Sequence, residues 1–265
     1  MIRIYRRFWL VNWAEQWQYR ANLLMYLLYW LVSPIVYLAV WTSVARGQGS
    51  ISGLTAADFT NYYLVLLVVD VLTSEITVHI LGYKIQDGTL SNDLLRPVHP
   101  ILTGTFVNNL AFKALTIIGL VPIWLVLALL FRPDYSSVTL GSLLLAIPAL
   151  AIGLAVCFLL GATITCLAFW TTRVMALHEF YYAFGILFSG QFVPLDLMPP
   201  FIRQAAQFLP FQLYRYFPVE LILGKLSPQT IALDFAQGIA WLVVAYILFQ
   251  LTWRAGVKRF SAVGA

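Results

Sequence analysis

The chain is predicted to be an all-α integral membrane protein. It has six transmembrane helices, an amino-terminal interfacial helix and a Pro-rich extracellular re-entrant hairpin before the last helix. Three observations predict this. Of 265 residues, 61% are hydrophobic and only 10% charged, with a mean hydropathy of +0.84, whereas soluble chains run near 25% charged. The apolar residues fall into runs close to the roughly 20 that cross a bilayer core. Finally, the charges punctuate these runs instead of gathering on one face. The net charge of +5 and pI near 9.2 therefore read as the basic bias of membrane loops, and no nucleic acid is expected as a partner.

Residues 1–20 are basic and rich in Trp, without the short apolar core and small-residue cleavage site of a removable signal. Leu10, Trp13, Ala14 and Trp17 share helical i, i+3, i+4, i+7 spacing, which predicts a helix lying in the cytoplasmic interface. A basic tail without fixed structure is the alternative. The spans are predicted at residues 23–44, 59–81, 103–131, 138–170, 176–192 and 231–253. The third and fourth contain Pro122 and Pro148, and the fifth is the shortest. Trp41, Tyr62, Tyr63, Trp170 and Trp253 fall near span ends, where amphipathic rings favour the headgroup region. With both termini in the cytoplasm, eleven of the 16 Lys and Arg fall inside, Lys113 among them, and five outside, Arg215 among them. This is the positive-inside bias of a multi-pass protein.

Two connections carry structure of their own. In the cytoplasmic loop 82–100, Gly88 suits the left-handed end of one helix. Ser91 is expected to cap a short helix that Pro97 stops. That helix presents Leu94 and Leu95 beside Asp93 and Arg96, either to a soluble partner or to the chain's own bundle. The extracellular connection 191–230 holds Pro194, Pro199, Pro200, Pro210, Pro218 and Pro228 yet stays apolar between them. Pro200 opens one predicted short helix, and Pro210 ends it and starts another. Neither is long enough to span, and irregular backbone at membrane depth must be covered by protein or line water.

The chemistry missing from the chain is as informative as what it carries. No G-x-x-x-x-G-K-[ST], H-E-x-x-H, G-x-S-x-G or paired-Cys zinc spacing occurs. No catalytic or metal residues are therefore assigned, and the chain is not expected to be an enzyme. His178 and Glu179 are expected to form a structural pair. Cys157 and Cys166 lie inside one apolar run, on opposite sides of a helix. Asp70 and Glu75 lie within the second span, where a charge costs several kcal/mol and usually faces a cavity or a partner. They line a transport path or hold a proton, or else are structural, paired with a base such as Lys113 or, for a protonated Asp70, hydrogen-bonded across helices. Ala149, Gly153, Cys157, Gly161 and Thr165 place small side chains every four residues along the fourth span. That stripe predicts close helix packing, within the subunit or across a dimer. The two halves share no repeat, which weakens an inverted-repeat transporter.

The interfacial helix, six spans, structured first loop and Pro-rich hairpin together resemble the membrane subunit of type-2 ABC exporters. Within KIQDGTLSNDLLRPVHP, residues Ile85, Gly88, Leu90, Leu94, Leu95, Arg96 and Pro97 resemble the loop of bacterial ABC-2-like permeases that lack a fused ATPase. The resemblance implies one transmembrane domain over residues 1–265 of a bacterial cytoplasmic-membrane exporter. It implies a second permease chain, identical or related, and separate P-loop ATPase subunits that carry ATP and Mg. Residues Gly88, Thr89, Leu90, Ser91, Leu94, Leu95, Arg96 and Pro97 would form the ATPase-coupling segment. The hairpin around Pro194, Pro199, Pro200 and Pro210 would be the extracellular gate. Two rivals stand beside this reading: a proton-coupled secondary transporter using Asp70 and Glu75, and a non-transporting membrane scaffold.

Overall fold

Long runs of Leu, Val, Ile and aromatic residues fold here as helices, which satisfy their own backbone groups where water cannot. The computed structural model describes residues 2–18, 20–76 and 78–261, and every named element among them is helical. Helix α1 (Ile2–Gln18) precedes α2 (Arg20–Gln48) and α3 (Ala56–Thr73). A π-turn at Val78–Gly82 leads into two short helices, α4 (Tyr83–Gln86) and α5 (Leu90–Leu94). Another π-turn, Ile101–Phe106, runs into α6 (Val107–Phe131), followed by α7 (Leu140–Thr165) and α8 (Val174–Phe188). The hairpin contains α9 (Pro200–Phe208) and α10 (Tyr216–Ile222), and α11 (Pro228–Arg259) closes the chain.

Five helical stretches are long and apolar enough to cross a membrane: Met25–Gln48, Ala56–Thr73, Ile101–Phe131, Leu140–Phe169 and Pro228–Arg259. The fifth predicted span is the continuous α8, whose 15 residues reach only about 22 Å at 1.5 Å per residue. The prolines inside α6 and α7 interrupt neither helix. The second predicted span departs from expectation: its helix stops at Thr73, and Ser74 is extended at φ −59°, ψ 162°.

Helix α1 lies against α6 by a polar contact, Asn108 Nδ2 donating to Asn12 Oδ1 at 2.8 Å. Asn12 is buried, while Leu10, Ala14 and Trp17 point outward. Three of the four residues of the predicted apolar face are thus left uncovered by the bundle, with Trp13 half-buried, an arrangement compatible with an interfacial helix.

The small stripe of α7 is buried within the subunit. A Cβ on Gly153 would meet Leu213 O and Tyr214 Cα at 2.9 Å, and one on Gly161 would meet the Glu75 carboxyl at 2.3 Å. These two glycines let the hairpin and the interrupted end of α3 lie directly on α7. Cys157 and Cys166 are both buried and free.

Candidate functional site

The interruption after α3 exposes carbonyl groups that a helix end leaves unpaired. Lys113, reaching across from α6, takes them. Its Nζ donates to Val71 O at 2.9 Å, to Ser74 Oγ at 3.2 Å and to Ser74 O. A buried ammonium at a helix C-terminus also meets the negative end of the helix dipole. Lys113 is therefore not a loop charge, and its bonds go to Val71 and Ser74 instead of to Asp70, for which the sequence makes it one candidate base.

The partner of Asp70 comes from the hairpin. Arg215 Nε donates to Asp70 Oδ1 at 2.5 Å, and both side chains are at most 5% exposed. Burial alone would lower the Arg215 pKa, but the adjoining Asp70 carboxylate raises it above the usual guanidinium value. Arg215 is accordingly no more a loop charge than Lys113. It interrupts the helical backbone between the 3-10 turn Pro210–Tyr214 and α10, at φ −133°, ψ −72°.

A second ion pair joins the same two elements at their outer ends. Lys225 Nζ sits 3.0 Å from Asp58 Oδ1, beside the capping box made by Thr55 and Asp58 at the start of α3. From Asp58 to Asp70 is twelve residues, or about 18 Å of helix. The turn that begins the hairpin is fixed to α3 as well. Tyr62 Oη donates to Gly190 O and Tyr63 Oη to Phe192 O, both at 2.8 Å. Gly190 has φ +80°, and a Cβ there would come within 2.6 Å of the Tyr62 hydroxyl. Pro200 opens α9 as expected, and Pro210 begins the 3-10 turn that follows it. Pro194 and Pro199 occupy the caps of the two preceding short elements.

Glu75 lies on the irregular segment after α3 and pairs with His178 of α8, Oε1 to Nε2, at 2.6 Å. The expected His178–Glu179 pair is not formed; the His178 Nε2 is taken by Glu75 instead. A cavity of ≈340 Å³ adjoins Glu75 and His178, walled by α1, α2, α6, α8 and the irregular segment.

At the same end as α1, residues 83–97 form a braced knob. Asp93 holds Lys84 at 2.7 Å and Arg96 at 3.2 Å, and the Arg96 guanidinium stands 5.8 Å from the centre of the Phe8 ring on α1. Gly88 takes the expected left-handed conformation at φ +75°. Ser91 does not cap: Thr89 precedes the helix, and the Ser91 hydroxyl donates back to Gly88 O at 2.8 Å. Leu90 is fully buried against Leu81, Ile85, Phe158 and Trp253. Leu94 also leans on this cluster and is half-buried, so the pair of exposed leucines reduces to one. Leu95 is 86% exposed, and Pro97 follows it into the open.

Residues 22–264 match the family described as ABC-2 family transporter protein. The chain belongs to that family. No curated protein matches it. Membership makes it a membrane subunit of a transporter, with multi-pass topology and the permease role. In this ABC-2 chain the eight residues 88–91 and 94–97 all lie in or beside one knob, whereas Asp70 and Glu75 separate onto different partners. Sequence reasoning missed Arg215 and His178 as those partners. For Arg215 a signal existed, since an arginine within PFQLYRYFPVEL needs a counterion wherever that apolar segment is buried.

Proposed function

We propose that this chain is the permease subunit of an ATP-driven ABC exporter of the bacterial cytoplasmic membrane. It works as a dimer with an identical or related chain and couples to separate ATPase subunits. The observation that carries the coupling role is the knob of residues 83–97. Lys84, Asp93 and Arg96 are engaged with one another and with α1, yet the knob holds Leu95 out at 86% exposure. An apolar side chain projected from a braced support suits insertion into a groove of a soluble subunit. These 265 residues contain no P-loop motif, so ATP and Mg belong on that partner.

In this reading α8, fifth in chain order, completes the six spans, both termini are cytoplasmic, and α1 lies in the inner interface. The hairpin is re-entrant: its pairs to Asp58 and Asp70 run down about 18 Å of α3. Closure of the ATPases on ATP pushes Leu95 and, through the Arg96–Phe8 contact, α1. Movement passes to the interrupted end of α3 and to α8 through Glu75–His178. ATP drives transport only by favouring one arrangement of the dimer over the other. The hairpin is the outer gate, and an apolar or amphipathic compound is the substrate. A proton carrier based on Asp70 would have to break a buried ion pair each cycle, which disfavours that rival.

The test is a mild-detergent pull-down of the chain from its native membrane, with ATP hydrolysis assayed on the eluate. An ATPase subunit that accompanies the wild type and is lost with Leu95→Asp is the expected result. A chain that elutes alone and moves substrate along a proton gradient after reconstitution would refute the reading.

A further inference from the structure

Three of the chain's four glutamates, Glu15, Glu75 and Glu179, line the ≈340 Å³ cavity. They arrive from α1, from the irregular segment after α3 and from α8, so folding and not local sequence brings them together. Among the described residues no Lys or Arg lines it, in a protein whose net charge is +5. The cations at the neighbouring polar layer are engaged elsewhere, Lys113 with backbone carbonyls and Arg215 with Asp70. Glu75 is held by His178. Glu15 and Glu179 are exposed and form no ion pair among the described residues.

The remaining wall combines four rings, of Tyr26, Trp30, Phe112 and Tyr182, with the imidazoles of His79 and His178, two amides and two isoleucines. Tyr26 and Phe112 meet edge to face with centroids 5.7 Å apart. Ring faces attract a cation and also cover apolar surface. The volume sits at the small end of the roughly 300–1,000 Å³ of organic ligand pockets. An inorganic cation would make no use of the rings, and no His, Cys, Asp and Glu group able to hold a metal occurs among the described residues. An anion would meet the exposed carboxylates of Glu15 and Glu179.

We propose that this cavity binds a monovalent organic cation carried on a compact apolar body. Glu15 and Glu179 face the charge, and the four rings cover the body. That the occupant is the transported compound rests on the permease reading; that it binds does not. Its ammonium comes either from a soluble amphiphile or from a membrane-lipid headgroup, since both present the same charge to the same wall.

The experiment compares tetraphenylphosphonium with tetraphenylborate, which share a shape and differ in sign. Binding is read by equilibrium dialysis against the full-length chain in uncharged maltoside micelles, with empty micelles subtracted. The cation is expected to bind at least about tenfold tighter than the anion. The double variant Glu15→Gln, Glu179→Gln should lose that preference while melting as the wild type does. Because both side chains are exposed, this pair spares the fold; Glu75, lodged between His178 and Gly161, is left intact. Equal binding of the two ions, or a folded double variant with undiminished preference, overturns the proposal. Displacement of the cation by a short-chain phosphatidylcholine assigns the ammonium to lipid, and lack of displacement assigns it to a soluble amphiphile; each result upholds the cation site. Binding is read without ATP, so a preparation lacking an ATPase tests the permease reading and leaves this one standing. An ATPase-bearing preparation with no charge preference does the reverse.

Discussion

The hairpin of residues 191–230 and the knob of residues 83–97 both interrupt an apolar chain with charge, and they direct it oppositely. In the hairpin the arginine points inward, and the Arg215–Asp70 pair is almost completely removed from solvent. In the knob Asp93 gathers Lys84 and Arg96 near the surface, with half of the Arg96 side chain exposed. Breaking a buried pair by removing one partner strands a charge, whereas surface pairs contribute little. The hairpin is therefore fixed to the bundle by its charges. The knob is shaped by its charges but anchored by buried Leu90, and its outermost leucine contributes nothing to the fold. That contrast separates a structural device from the surface proposed to meet a partner.

Breaking the hairpin side should have the largest effect. Arg215→Met leaves Asp70 unpaired and should lower stability by about 3–5 kcal/mol, read as a fall in melting temperature in detergent. Adding Asp70→Asn to that variant should recover part of the loss; no recovery would show that the pair is not what holds the hairpin to α3.

Glu220 sharpens the same side through pH. Burial in α10 pushes its carboxyl from an ordinary 4.5 up to about 7, with Lys225 opposing the rise. The folded state thus holds more protons than the unfolded state between those values, and stability falls as pH rises through that window. Glu220→Gln should stabilise the protein at pH 8 by on the order of 2–3 kcal/mol and leave it unchanged near pH 4. A uniform offset at both pH values would contradict this assignment.

Gly161→Ala tests whether the interrupted end of α3 lies against α7. The new Cβ would overlap the Glu75 carboxyl, at a cost of roughly 1–3 kcal/mol. Transport should fall with it, because Glu75 must leave His178. Normal melting and flux would mean that Glu75 has room to move.

The knob should respond least in stability and most in partnership. Leu95→Asp should stay within about 0.5 kcal/mol, yet it should release the ATPase. Leu94→Asp, by contrast, charges a side chain that leans on the core and should also lower the melting temperature.

Much of this division was legible in the sequence. The runs of apolar residues marked the helices, though the second broke off at Thr73 and the last ran on to Arg259; Gly88, Pro200 and Pro210 marked turns and starts, because φ restrictions act locally. The small-residue stripe of α7 was legible as a packing face. Its neighbour was not, because Gly153 and Gly161 meet segments some 60 and 86 residues away in the chain. The interruption at Ser74 had no local signal either. It depends on Lys113, whose ammonium replaces the missing helical donors from another helix. Glu75 was visible as an acid in an apolar run, but its choice of His178 over Lys113 follows from how α8 packs. Ser91 looked like a cap because its type favours one, yet Thr89 precedes the helix and Ser91 bonds backward.

The central claim, that the knob meets an ATPase subunit, can be read directly by cross-linking from position 95. Both native cysteines are buried, so Leu95→Cys offers a single accessible thiol for a benzophenone maleimide, and Leu10→Cys on α1, also exposed, serves as the lipid-facing control. Irradiation of native membranes should join position 95 to a P-loop ATPase subunit, in a yield that changes on adding ATP, and should give no such product from position 10. A probe at position 95 that labels only lipid or a second copy of this chain would contradict the account.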